Sequence, residues 1–144
     1  MKIFLLLSFA STLFNTGLIW VIQLVHYPGF ARIGVQEHQA YHSFHMRSIT
    51  YIVGPSMAIE LASSLGLLLF LDKLPSPTAF WIASGLLAII WAHTAFIAVP
   101  LHGKLASSYS LEIVDRLVSA NWWRTIAWSI RSFVLAYLVY QAIK

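Results

Sequence analysis

The sequence predicts an all-α protein, an integral membrane four-helix bundle, and three observations predict it. Hydrophobic residues make up 59% of the 144 positions and charged residues only 10%, where a soluble domain carries roughly 25% charged residues. Mean hydropathy is +0.76. Four apolar stretches are each long enough to cross a bilayer, which takes about 20 residues as a helix. Together they use most of the chain, so residues 1–144 are read as one transmembrane domain with no separate soluble part.

The first span is placed at Ile3–Val25. Met1-Lys2 before an apolar run resembles a leader, but the run continues well past Ala10 to Val25, which favours a retained span. Pro28, in His26-Tyr27-Pro28, is expected to stop that helix. Gln36–Ser48 contains neither Pro nor Gly and reads as a His-rich helical arm leading into the second span, Ile49–Leu71. Gly54-Pro55 is expected to kink it. The third span is Thr78–Val99, broken by Pro100. Beyond it Ser110 has the chemistry of an N-cap, with Glu112 in the first turn. Leu111, Val114, Leu117 and Val118 then fall on one stripe, the pattern of a short interfacial helix between spans 3 and 4. Trp122, Trp123 and Tyr27 fit an aromatic belt. The fourth span is Trp122–Ala142.

Four spans put both termini and the link Asp72–Pro77 on one side, A. The longer links, His26–Ser48 and Pro100–Asn121, share side B. Side B carries Arg32, Arg47, Lys104, Arg116 and Arg124, and side A carries Lys2, Lys73 and Lys144. The positive-inside rule then makes side B cytoplasmic. The chain has no cysteine, which excludes disulfides, thiolate metal sites and iron–sulfur clusters. The formal charge of +4 is spread out, and no basic run points to nucleic acid. The partners expected are the lipid bilayer and a hydrophobic small molecule. A homo-oligomer or a larger membrane complex stays open.

All six histidines fall at the side-B end. His38, His42 and His45 are spaced i, i+4, i+7, within a roughly 60° arc of a helix. Imidazoles one turn apart can share an ion. His42 and His45 lie nearer the membrane than His38. His26 closes span 1, His93 lies about two turns inside span 3, and His102 follows Pro100. His26, His42, His45, His93 and His102 are therefore the candidate ligands for a transition metal ion. All-nitrogen ligation suits zinc, iron or copper. The alternative for this cluster is haem, held axially by two facing histidines.

Two ionisable groups lie deeper. Glu60 is about 16 Å below Ile49 and Arg131 about 13 Å below Trp122, both near the midplane. A lone charge there costs several kcal/mol, so a Glu60–Arg131 pair is expected, with Asn15 at matching depth. It reads either as a clasp fixing helix register or as a proton or anion site. Asn121, Arg124, Trp128 and Arg131 share an arc of roughly 80° that must face inward. Glu60, Arg124 and Arg131 are the candidate catalytic residues, with Arg124 placed to bind a carboxylate, a phosphate or a reduced-oxygen species.

His26-Tyr27-Pro28, Phe44-His45 ahead of Pro55 and Glu60, Pro100-Leu101-His102, and Asn121-Trp122-Trp123-Arg124-Thr125 with Trp128 and Arg131 resemble the motifs of a group of small bacterial four-span membrane proteins without an assigned function. The resemblance covers most of the chain and implies a bacterial inner membrane, in which the positive-inside rule puts the histidine end on the cytoplasmic face. Size and architecture are similar to the anthrone-oxygenase-like membrane proteins, which implies oxidation of a hydrophobic aromatic substrate.

Three functions follow as expectations. The first is a metal-dependent oxidoreductase-like protein acting on a hydrophobic substrate through the histidine cluster. The second is a haem- or quinone-binding protein. The third is a non-enzymatic transport or accessory subunit with a structural Glu60–Arg131 pair.

Overall fold

The computed structural model describes all residues, 1–144. It contains four long helices and no strand: α1 Lys2–Arg32, α2 Val35–Lys73, α3 Pro77–Ser107 and α4 Leu111–Ile143, each long and apolar enough to cross a membrane. The protein is a membrane four-helix bundle. Its surface fits lipid: Leu6, Phe14, Leu24, Phe44, Ile59, Leu69, Phe96 and Phe133 are exposed, while Ser8, Thr12, Asn15, Glu60, Thr125 and Arg131 are buried. In α1 the buried stripe runs Leu5, Ser8, Thr12, Asn15, Ile19, the spacing of one helix face.

The links are shorter than the sequence implies, because the helices outrun the membrane. A helix of 31 residues is about 46 Å long, against about 30 Å of hydrocarbon. On side B the connections reduce to Ile33-Gly34 and Ser108–Ser110. Pro28 and Pro100 do not end their helices, contrary to expectation. Each is preceded by a π-helical stretch, Ile22–His26 and Thr94–Ala98, and each falls two residues after it. Proline lacks an N–H and its ring meets the carbonyl four residues back. A π turn is wider and re-registers that carbonyl, so the helix continues. Spans 1 and 3 thus share one construction, although no repeat is visible in their sequences.

Leu111 does begin a helix, with the Ser110 Oγ accepting from the Ile113 N–H at 3.4 Å. It does not lie as a separate interfacial element. Nothing from Leu111 to Ile143 is Gly or Pro, so the segment runs unbroken into span 4. The His-rich arm likewise continues through Pro55 to Leu67 as one helix. Ser76 caps α3, accepting from the Ala79 N–H at 3.3 Å, with Pro77 in the first turn.

Packing is uneven. α1 packs along α2 and α4, and α4 packs along α3, but α2 and α3 meet only near the histidine end. One side of the bundle is therefore open within the membrane. Two apolar clusters fill the rest: one around Ile19, Phe30, Met57, Leu105 and Trp128 toward side B, the other around Leu5, Leu67, Phe80, Leu135 and Leu138 toward side A.

Candidate functional site

At the midplane Glu60 and Arg131 pair, with Arg131 Nε donating to Glu60 Oε1 at 3.0 Å and both side chains fully buried. Glu60 also accepts from Thr12 Oγ1 at 2.6 Å, Asn15 Nδ2 at 3.0 Å and Trp128 Nε1 at 3.1 Å. Arg131 Nη2 donates to Ser64 Oγ at 2.7 Å and Ser8 Oγ at 3.0 Å, and its Nη1 donates to the Ala83 carbonyl. The cluster takes groups from all four helices, and both carboxylate oxygens and all three guanidinium nitrogens are engaged. The sequence marks the pair and Asn15. It does not mark the Ala83 carbonyl, because a backbone acceptor leaves no trace in residue type.

Toward side B the histidines gather. His26 Nε2 and His45 Nδ1 are 2.6 Å apart, and His42 Nε2 and His102 Nδ1 are 3.1 Å apart. The rings of His45 and His102 stand 5.6 Å apart between centroids, linking the two pairs. His38, ranked below its neighbours from sequence, stacks on His42 at 5.7 Å and meets Tyr109 at 4.6 Å. His93 stands apart: both its ring nitrogens are buried without a hydrogen-bond partner, as are both of His38 and Nδ1 of His42. The rings that meet are those of His26, His38, His42, His45 and His102. In this conformation no three of the side chains converge on one ion-sized point. They bond to one another in pairs instead.

The hub of the cluster is Phe30, fully buried. Its ring lies 5.2 Å from His45, 5.3 Å from His26, 5.7 Å from His42, 6.1 Å from His38 and 6.3 Å from His102. An apolar ring at the centre keeps water from the imidazoles. Its place leaves no mark in the sequence, since a lone Phe after Pro28-Gly29 looks like any other apolar residue.

Tyr27 is also not where the sequence placed it. It is buried at 4% exposure rather than lying in an aromatic belt. Its Oη accepts from Arg124 Nη2 at 3.1 Å and lies 2.9 Å from His102 Nε2. With the phenol proton given to His102 Nε2, the His102 Nδ1–H donates to His42 Nε2. In that tautomer donation runs in one direction, from Arg124 through Tyr27 and His102 to His42. Arg124 is held by Asn121 Oδ1, 3.0 Å from its Nε, and by a long 3.4 Å bond from Nη1 to Thr94 Oγ1. Asn121 donates in turn to Gln23 Oε1 at 2.8 Å. Gln23 and Thr94 belong to the two π-helical stretches, whose widened turns border the cluster.

Between cluster and clasp lies a cavity of about 240 Å³, roofed by Tyr27, His102 and Arg124 and floored by Asn15 and Trp128. No protein-family model, no curated protein and no solved structure matches the chain.

Proposed function

We propose that the protein is a membrane-embedded, metal-dependent oxidoreductase-like enzyme that acts on a hydrophobic substrate through its histidine cluster. One observation carries the reading: His26, His42, His45 and His102, from three helices, pack around Phe30 with ring nitrogens paired at 2.6 and 3.1 Å. Two imidazole nitrogens on one tetrahedral zinc, each at about 2.05 Å, lie about 3.3 Å from each other. His42 Nε2 and His102 Nδ1, at 3.1 Å, therefore stand near the separation of two ligands on one ion, while His26 Nε2 and His45 Nδ1, at 2.6 Å, would have to move apart by about 0.7 Å. The unpartnered nitrogens of His38 and His42 add to this, because buried polar atoms are rarely left unsatisfied without a role.

Zinc, iron or copper suits such a donor set, and a metal held there would activate water or oxygen. In this reading the chain's own groups do the rest. Tyr27 holds the ring of His102 through its Nε2, and Arg124 orients an oxygen atom of the substrate. Glu60 and Arg131 hold the bundle and take no chemical step, since all their polar atoms are spent on each other and their neighbours. That closure also weighs against a transport role for the pair. Haem is the weaker reading for the cluster, because rings joined nitrogen to nitrogen leave no gap for a porphyrin.

The test is elemental analysis with an absorption spectrum on detergent-purified protein. At least one zinc, iron or copper per chain is expected, lost in His45→Ala and in His102→Ala. Stoichiometric metal in both variants, or none in the wild type grown with added metal, overturns the reading.

A further inference from the structure

The open side of the bundle is a groove. Along the membrane section α2 and α3 do not pack on each other, and two cavities fill the space between them. The first is the cavity beneath Tyr27, His102 and Arg124. The second, about 430 Å³, is lined by Leu61, Leu65, Leu68, Phe80, Leu87 and others, and is almost wholly apolar. Trp91 lines both. The groove follows α2 from Met46 to Leu68, a run of about 33 Å along a helix.

Its two ends differ in charge. Arg124, at the side-B end, is only 5% exposed, and no carboxylate lies within ion-pairing distance of it. Its partners are all neutral: Asn121, Tyr27 and Thr94. A guanidinium buried in a membrane protein without a counter-ion is costly and is retained where an anion comes to it. Arg131 makes the contrast, since it meets Glu60 at 3.0 Å. The other end of the groove offers no charge.

We infer that the groove between α2 and α3 binds a single-chain amphiphile with an oxyanion head, a long-chain carboxylate. The head lies against Arg124, beneath Tyr27 and His102. The chain runs past Trp91 between Leu65 and Phe80. The charge selects the head, and the length and apolar lining select an extended chain over a compact ring. Access is from the lipid, through the gap between the helices. This deepens the proposed function by naming the substrate class of that site, and it rests on that reading only in calling the amphiphile a substrate.

Binding is measured without metal or turnover, on the full chain in nanodiscs of zwitterionic phosphatidylcholine. Brominated stearic acid, its methyl ester and a brominated alkyl phosphate are added, and quenching of tryptophan fluorescence is read. Trp91 and Trp128 line the first cavity, and Trp81 lines the second. The acid is expected to quench at a mole fraction at least tenfold below the ester. Arg124→Gln is expected to bring the acid to the level of the ester. Gly54 also lines the cavity, and a Cβ there meets nothing within 4 Å. Gly54→Leu is therefore expected to fold and to weaken quenching by the acid with Arg124 intact. Stronger binding of the alkyl phosphate than of the acid overturns the carboxylate as the head. Equal quenching by acid and ester in the wild type overturns the inference, as does an acid preference that survives Arg124→Gln. Metal content is determined on the same samples. Metal without acid binding sinks this inference alone, and acid binding without metal sinks the metal-dependent reading alone.

Discussion

Arg124 and Arg131 stand two turns apart on the inward stripe of α4, and only Arg131 has a carboxylate against it, at 3.0 Å. The asymmetry predicts opposite responses to one substitution. Arg131→Met leaves the buried Glu60 carboxylate without its counter-ion, held only by Thr12, Asn15 and Trp128, and costs about 3–5 kcal/mol. Arg124→Met strands no charge, because Asn121 keeps Gln23 and Tyr27 keeps His102. Its stability is expected to stay within about 1 kcal/mol of wild type. Thermal unfolding in one detergent checks both. Equal losses at the two positions contradict the assignment.

The clasp itself is tested by a double-mutant cycle. Glu60→Leu and Arg131→Met each leave one buried charge alone, whereas the double substitution leaves none. The double variant is expected to be more stable than either single one, with a coupling of about 1–3 kcal/mol. Additive losses mean that the 3.0 Å contact contributes little.

Tyr27→Phe removes one oxygen and cuts the line between Arg124 and His102. The fold is expected to lose about 1 kcal/mol. The sharper readout is nitrogen-15 NMR of labelled histidine. In the tautomer in which Tyr27 donates, His102 Nε2 accepts from the phenol and Nδ1 carries the ring proton. The variant is expected to shift the Nε2 resonance of His102 and leave His93 unmoved.

Phe30→Ala empties the centre of the histidine shell. Loss of a buried Phe costs about 3–5 kcal/mol. The same change admits water to the rings, so solvent exchange of the His42 and His45 ring protons is expected to quicken. Slow exchange at both sites in a folded variant contradicts the role of Phe30 as a seal.

Near the side-A end a Cβ on Gly66 would stand 2.6 Å from Phe4 Cδ1. Gly66→Val is expected to destabilise the bundle by about 1–3 kcal/mol. Phe4→Ala in the same chain is expected to recover part of that loss. Absence of any recovery places the strain elsewhere.

Much of this was legible in the sequence for a simple reason. A membrane span has to be apolar, so each polar residue within one stands out. Glu60, Arg131 and Asn15 stand out that way, and the bilayer makes the pairing of the two charges close to obligatory, while the histidines show themselves by gathering at one end of the spans. Other features carry no such contrast. Pro28 and Pro100 read as helix ends because the sequence does not show the π turns that absorb them. Tyr27 reads as an interface anchor because its phenol suits headgroups as well as it suits His102. The gap between α2 and α3 is invisible for a deeper reason: a helix face turned to lipid and one turned to a neighbour are both apolar.

The gap has a consequence for how any ligand of this protein is to be measured. A molecule arriving sideways between α2 and α3 comes from a two-dimensional reservoir, and its bulk aqueous concentration is set by partitioning. Occupancy then follows the ratio of ligand to phospholipid. Doubling the bilayer at fixed total ligand dilutes it as surely as doubling the volume would for a soluble receptor.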